Sequence, residues 1–301
     1  MSAARKNAIV VTVSFDKGYA EQATVMLYSL LMHNSDNRIV VVVFYDDLDE
    51  AAKKRVQSNL SRFSNFEIEW IKIDGALIRN FNIRKGHVNE YSYSRIFMAQ
   101  MLQDVDRILY LDCDMLILGN LSELWQTDLQ GCVLAAVQDP SPFVRHEDLG
   151  MPEGKKYFNA GVLLLDVNKW KKGSYTEAVV NKLTQLGGKA AWWDQDGLNA
   201  VLYNDWLALN RKWNIQSHDI AVAQEENIKK IKPYLSPSIV HFTGVLKPWN
   251  FKSSNPYKKE YYQLLRQTDF IKTHRPQNKT VVNVVRRVIR NTFVFAGLLK
   301  N

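Results

Sequence analysis

The 301-residue chain is 46% hydrophobic and 23% charged, a globular balance that sets intrinsic disorder aside and allows one large core. Its net charge of +8 is unevenly placed: seven basic residues and no acidic one lie between Phe270 and Asn301, so +8 − 7 leaves about +1 on residues 1–269, which excludes a general nucleic-acid-binding surface. Two cysteines (Cys113, Cys132), a strand-like run directly after residues 1–8, and no apolar stretch of about 18 residues point to a reducing, cytoplasmic setting without leader or membrane span.

Residues 8–15 (AIVVTVSF) read as a strand, and 19–33 have helical spacing with Val25, Leu27, Leu30 and Leu31 apolar. The unbroken apolar run at 38–45 (RIVVVVFY) suits a sheet covered on both faces. A helix over 47–61, capped near Asp47 or Asp49, and a strand over 66–73 follow. This β-α-β-α-β order predicts an α/β fold with right-handed crossovers and a mostly parallel sheet. A helix over 91–102 leads into the strand Arg107–Leu111, with further strands at 132–138, 160–166 and 238–242 and a helix at 194–202. Beyond Trp249 a helix is expected over 257–266, then a polar linker over 272–280 (KTHRPQNKT).

On a wheel of about 100° per residue, residues 281–301 put Val281, Val284, Val285, Val288, Ile289, Phe295 and Leu299 on one face. Asn283, Arg286, Arg287 and Arg290 fall on the other. Such a basic amphipathic helix suits an anionic membrane interface, and packing on the domain with its arginines solvated is the alternative.

The chemistry is concentrated where strand 107–111 ends. Asp112 and Asp114 flank Cys113 inside an apolar run, and a buried unpaired carboxylate is costly. Beyond the carboxyl end of a strand, where ligands gather in open α/β sheets, an i, i+2 pair can converge on Mg²⁺ or Mn²⁺. Otherwise one Asp caps the helix near Asn120 and the other is solvated.

LYLDCDMLILGNLSELW (109–125) resembles the Asp-x-Asp segment of glycosyltransferase family eight, the retaining nucleotide-sugar transferases. Five more segments resemble the family in the same order: SFDKGYAEQATVMLYSLL, YSYSRIFMAQML, YFNAGVLLLDVNKW, WWDQDGLNAVL and HFTGVLKPW. The resemblance implies a type A glycosyltransferase fold: a single Rossmann-like mixed sheet flanked by helices, catalytic over 1–250. A C-terminal helical extension over 251–301 follows, with its membrane-associating tail from about 276.

It further implies a metal site of Asp112, Asp114 and His241, whose borderline nitrogen favours Mn²⁺ over Mg²⁺. Asp16, Tyr19, Gly244 and Lys247 are expected at the nucleotide and diphosphate, with Lys247 supplying charge and Gly244 permitting close backbone approach. Arg95, Asp139, Asn159, Ala160 and Asp194 are expected at the sugar or acceptor. Resemblance places Gln195 nearest the anomeric carbon. A neutral amide is a feeble nucleophile, which favours front-face transfer over the double displacement of retaining glycosidases, with Asp194 the lesser candidate for a nucleophile.

The implied activity is transfer of glucose or galactose from a UDP-sugar to a glycan or lipid-linked acceptor, such as a lipopolysaccharide, at the cytoplasmic face of the inner membrane. A glycogenin-like or protein-glycosylating initiator and a silent glycan- or membrane-binding protein are the alternatives. A sugar-phosphate nucleotidyltransferase would want a Gly-rich, Arg-containing loop after the first strand, which SFDKGYAEQ lacks.

Overall fold

The structure is a computed structural model that describes residues 5, 7–73, 93–102, 104–139, 146–226, 228, 231–245, 247–283 and 285. Seven strands form the main sheet in the order β3-β2-β1-β4-β7-β6-β8. They are β1 (Ile9–Ser14), β2 (Ile39–Tyr45), β3 (Phe66–Lys72), β4 (Arg107–Leu111), β6 (Leu134–Gln138), β7 (Phe158–Asp166) and β8 (Trp206–Ala208). A smaller sheet, absent from the sequence reading, pairs β5 (Met115–Ile117), β10 (Ile239–His241) and β9 (Ile215–Gln216), with β10 in the middle.

Alternation along the central strands divides the core between two faces. Ile9, Val11, Val13, Ile39, Val41 and Val43 pack on one side, and Val10, Val40, Val42 and Phe44 on the other. The first face is covered by α1 (Ala20–His33), α2 (Glu50–Leu60) and α11 (Lys258–Leu265), together with the small sheet. The second is covered by α3 (Ser94–Met101), α6 (Val167–Lys172), α7 (Tyr175–Leu186) and α8 (Trp193–Leu202). Shorter helices α4 (Ser122–Trp125), α5 (His146–Leu149), α9 (Ser217–Glu225) and α10 (Ile231–Leu235) complete the chain. Every residue of β2 from Ile39 to Phe44 is fully buried, and each large apolar side chain so placed contributes about 1.5–3 kcal/mol.

Two features of the strands build the site. Strand β7 runs antiparallel to β4, with Leu111 opposite Val162, so the beginning of β7 lies beside the end of β4. Against β6, β7 pairs Leu163 with Ala136 and then Asn159 with Val137, so Ala160, Gly161 and Val162 form a bulge. Bulges re-aim side chains and bend strands; this one lies next to Asp112.

The expected helix over 91–102 is observed as Ser94–Met101; residues 91 and 92 lie outside the described part. The expected polar linker over 272–280 is docked on the body instead. His274 Nδ1 is 2.7 Å from Glu21 Oε1, and Gln277 exchanges backbone hydrogen bonds with Trp249 and Phe251. Phe270 is buried beneath it, with the Arg55 guanidinium 3.9 Å from its ring centre. A polar string can thus be held by one apolar anchor and a few specific bonds. Of the predicted tail helix, Val281, Val282, Asn283 and Val285 are helical and the three valines exposed; residue 284 and residues 286–301 lie outside the described part. Among the described residues no helix is long and apolar enough to cross a membrane.

Candidate active site

The ends of β4 and β10 bring three predicted ligands together. Phe242 N–H donates to Asp114 O at 2.9 Å, and His241 lies opposite Met115 in the small sheet. Asp112 Oδ1 accepts from the Tyr110 hydroxyl at 2.7 Å and from Arg95 Nη2 at 2.9 Å. Asp114 Oδ2 pairs with Lys247 Nζ. The second oxygen of each carboxylate faces His241 Nε2, Asp112 Oδ2 at 3.6 Å and Asp114 Oδ1 at 3.3 Å. One ligand atom from each of the three residues lies within 4.8 Å of the others. Two carboxylate oxygens and an imidazole nitrogen are a donor set for a divalent cation.

Close packing keeps these groups in place. A Cβ at Gly161 would stand 2.8 Å from both Asp112 Oδ2 and His241 Nδ1, so only glycine fits there. Burial pushes the Asp114 carboxyl upward, but the adjacent Lys247 and His241 outweigh it and hold the group well below its ordinary range. Burial drives the Cys113 thiol well above its usual value, with Asp112 and Asp114 adding to the effect. The thiol therefore stays protonated, and it donates to Ser14 O at 3.4 Å.

Arg95, at the start of α3, is buried with its guanidinium spread over three partners. Nη1 donates to Ala160 O at 2.6 Å, Nη2 to Asp112, and Nε lies 2.8 Å from Asp194 Oδ2. Its guanidinium also sits over the Tyr110 ring, 4.7 Å from the centre. Burial opposes its charge, yet Asp112 and Asp194 raise its pKa above the ordinary value. Arg95, expected at the sugar or acceptor, lines the cavity and also joins Asp112, just past β4, to Asp194 of α8.

Asp194 is buried at the start of α8, and burial, stronger than the counteracting Arg95, raises its pKa to about 6. The residue before it, Trp193, has φ +43°, a left-handed conformation that costs a bulky residue strain. Trp192 N–H is tied at 2.7 Å to Asp196 Oδ2, and Asp196 Oδ1 accepts from the Tyr157 hydroxyl at 2.7 Å. Gln195 turns inward: Oε1 accepts from Ala160 N at 2.9 Å and Asn159 Nδ2 at 3.2 Å, while Nε2 donates to Asp139 Oδ2 at 3.3 Å.

Nine predicted residues line one cavity of about 550 Å³: Arg95, Asp112, Asp139, Asn159, Asp194, Gln195, His241, Gly244 and Lys247. Asp114 and Ala160 are outside the lining: Asp114 Oδ1 lies 3.3 Å from His241 Nε2, and the Ala160 backbone bonds the lining residues Arg95 and Gln195. Asp16 and Tyr19 are outside this lining: Asp16 Oδ1 caps the turn at Tyr19 N (2.8 Å), and Tyr19 meets Trp249 edge-on. Tyr157, Trp192, Trp193, Gln216, Ser217, His218 and Thr243, unassigned from sequence, share the wall; Tyr157, Trp192, Trp193 and Thr243 lie inside the quoted segments, while Gln216, Ser217 and His218 lie in none of them.

The family model for glycosyl transferase family 8 matches residues 10–253. General stress protein A of Bacillus subtilis is 31% identical over 275 residues, covering 88% of this chain and 96% of that protein. Lipopolysaccharide 1,2-glucosyltransferase of Escherichia coli is 28% identical over 290 residues, covering 92% of this chain and 83% of that protein. Among solved structures, the galactosyltransferase LgtC in complex with donor and acceptor sugar analogs superimposes with a TM-score of 0.76 at 24% identity, over 87% of this chain and 96% of that one. It shares the mixed sheet flanked by helices. The family match spans residues 10–253, most of the chain, and the cavity lies within it; the protein belongs to glycosyl transferase family 8.

Proposed function

We propose that the protein moves a hexose, glucose or galactose, from a UDP-sugar to a glycan acceptor such as a lipopolysaccharide, with retention at the anomeric carbon. The observation that carries this reading is the convergence of Asp112 Oδ2, Asp114 Oδ1 and His241 Nε2 beside a cavity that also holds Lys247, Asp194 and Gln195. The similarity to the Escherichia coli lipopolysaccharide glucosyltransferase and to the galactosyltransferase LgtC supports glucose and galactose as the candidate sugars.

Asp112, Asp114 and His241 would hold Mn²⁺, or Mg²⁺, which when bound stabilises negative charge on a departing diphosphate. Lys247 pairs with Asp114 and supplies a second positive charge. Asn159, Asp139 and Asp194 hold sugar hydroxyls around the bulge. Gln195 offers a dipole and no good nucleophile, since its oxygen already accepts two hydrogen bonds. The ion pair with Arg95 occupies Asp194 Oδ2 and makes the carboxylate a poorer nucleophile. Both features favour front-face transfer, in which the leaving phosphate takes the acceptor proton.

The basic tail over 281–301 attaches the enzyme to the cytoplasmic face of the inner membrane, a reading supported by exposed Val281, Val282 and Val285 at its beginning. A panel of UDP- and GDP-sugars with Mn²⁺, scored for hydrolysis and for the anomer released, tests the donor and the stereochemistry together. Preference for a GDP-sugar, or release of the inverted anomer, overturns the reading.

A further inference from the structure

Two backbone N–H groups decide which nitrogen of His241 faces the carboxylates. Gly161 N–H donates to Asn159 Oδ1 at 3.0 Å, and Ala160 N–H donates to Gln195 Oε1 at 2.9 Å. A backbone N–H can only donate, so both side-chain atoms are oxygens. The other amide atom of Asn159 lies 3.2 Å from that Gln195 oxygen and is therefore its nitrogen. Two independent backbone groups thus orient the Asn159 amide in the same sense.

The orientation passes to Asn214, just before β9 and 0% exposed. Its amide atom 2.9 Å from Asn159 Oδ1 must be the donor, Nδ2. Its oxygen then faces His241 Nδ1 at 3.1 Å and can only accept. Nδ1 carries a proton, and Nε2 is the nitrogen presented to Asp112 and Asp114.

We propose that Asn214 is a positioning residue of the cation site: it holds a proton on His241 Nδ1 and so reserves Nε2 as the ligand. This rests on the metal-dependent reading above. The chain Gly161–Asn159–Asn214–His241 also joins the sugar side of the cavity to the cation side, because Asn159 Nδ2 reaches Gln195 and, at 3.3 Å, Asp139. Partners that orient a ligating imidazole in this way typically account for 10–100-fold in metal affinity.

The test combines ¹⁵N-histidine NMR with Mn²⁺ titration calorimetry on the full chain, using Asn214→Leu and Asn214→Asp. In the wild type, His241 Nδ1 should be protonated both without metal and with Zn²⁺ as a closed-shell probe; a bare Nδ1 in either state overturns the proposal. Asn214→Leu should bind Mn²⁺ about 10–100-fold more weakly and melt somewhat lower, because it leaves the buried His241 Nδ1–H without an acceptor. Asn214→Asp keeps an acceptor opposite Nδ1 but sets its second oxygen against Asn159 Oδ1, so it should recover part of the affinity that Asn214→Leu loses. Wild-type affinity in Asn214→Leu, or equal losses in both variants, refutes the assignment. If Asn214→Leu does not fold, the wild-type spectra decide. Failure of the wild type to bind Mn²⁺ at all sinks the metal reading, while the spectrum without metal still judges Asn214.

Discussion

Arg95 and Asp194 form a buried ion pair, Nε to Oδ2 at 2.8 Å, with side chains only 9% and 7% exposed. Burial nevertheless dominates the carboxyl, whose pKa rises from 3.8 to about 6. The folded protein therefore binds this proton more tightly than the unfolded chain. Its contribution to stability is greatest below pH 4 and is lost as pH rises through 6, a change of about 3 kcal/mol. Urea unfolding of wild type and Asp194→Asn at pH 4 and pH 7 should show the wild type losing ground by about that amount. A constant difference would refute the assignment.

Asp112→Asn and Asp114→Asn keep side-chain volume while removing a charged ligand. Each should leave the melting temperature within a few degrees and lower transfer by about 10²–10³-fold, as for loss of one group that stabilises developing charge. Near-normal turnover of either variant in Mn²⁺ would remove the metal assignment.

Gly161→Ala forces a methyl group to within 2.8 Å of Asp112 Oδ2 and His241 Nδ1. Overpacking of this kind costs about 1–3 kcal/mol, and here the atoms displaced belong to the proposed cation ligands. The variant should fold, melt lower and lose most of its Mn²⁺ affinity in calorimetry. Retained affinity would mean that the β7 bulge can retreat.

Gln195→Ala removes the acceptor for Ala160 N–H and Asn159 but no nucleophile. Weak transfer should survive, and mass spectrometry of quenched turnover should find no glycosyl-enzyme adduct in the wild type. A trapped adduct would overturn front-face transfer.

Truncation after Thr280 tests the tail without disturbing the body, because Gln277 is still held by Phe251 N–H at 2.8 Å and by Trp249 O at 3.0 Å. Donor hydrolysis and melting temperature should be unchanged while sedimentation with anionic vesicles is lost. Equal sedimentation with and without residues 281–301 would dismiss the membrane role.

What the sequence made legible follows the range of the forces involved. The run at β2 is apolar on both faces and announces a central strand; Asp112 and Asp114 stand out because charge is conspicuous at a buried strand end. The small sheet was hidden because β5 and β9 are three and two residues long, too short for any periodicity. Arg95 was placed at the site, but its role was not readable: its partners Asp112, Ala160 and Asp194 come from three separate elements. Asn214 carried no signal at all, since an asparagine before a short strand looks like any turn residue. The tight seat of Gly161 needed the fold, because it depends on how β7 passes β4.

The small sheet also sets an order of events during synthesis. Both carboxylates emerge with β4 and β5, while the imidazole waits for β10, which must insert between β5 and β9. A nascent chain ending before Ile239 has both carboxylates and lacks the imidazole. On the proposed metal reading, the full donor set exists only once β10 has docked, so ion capture would report that the two halves of the chain have met.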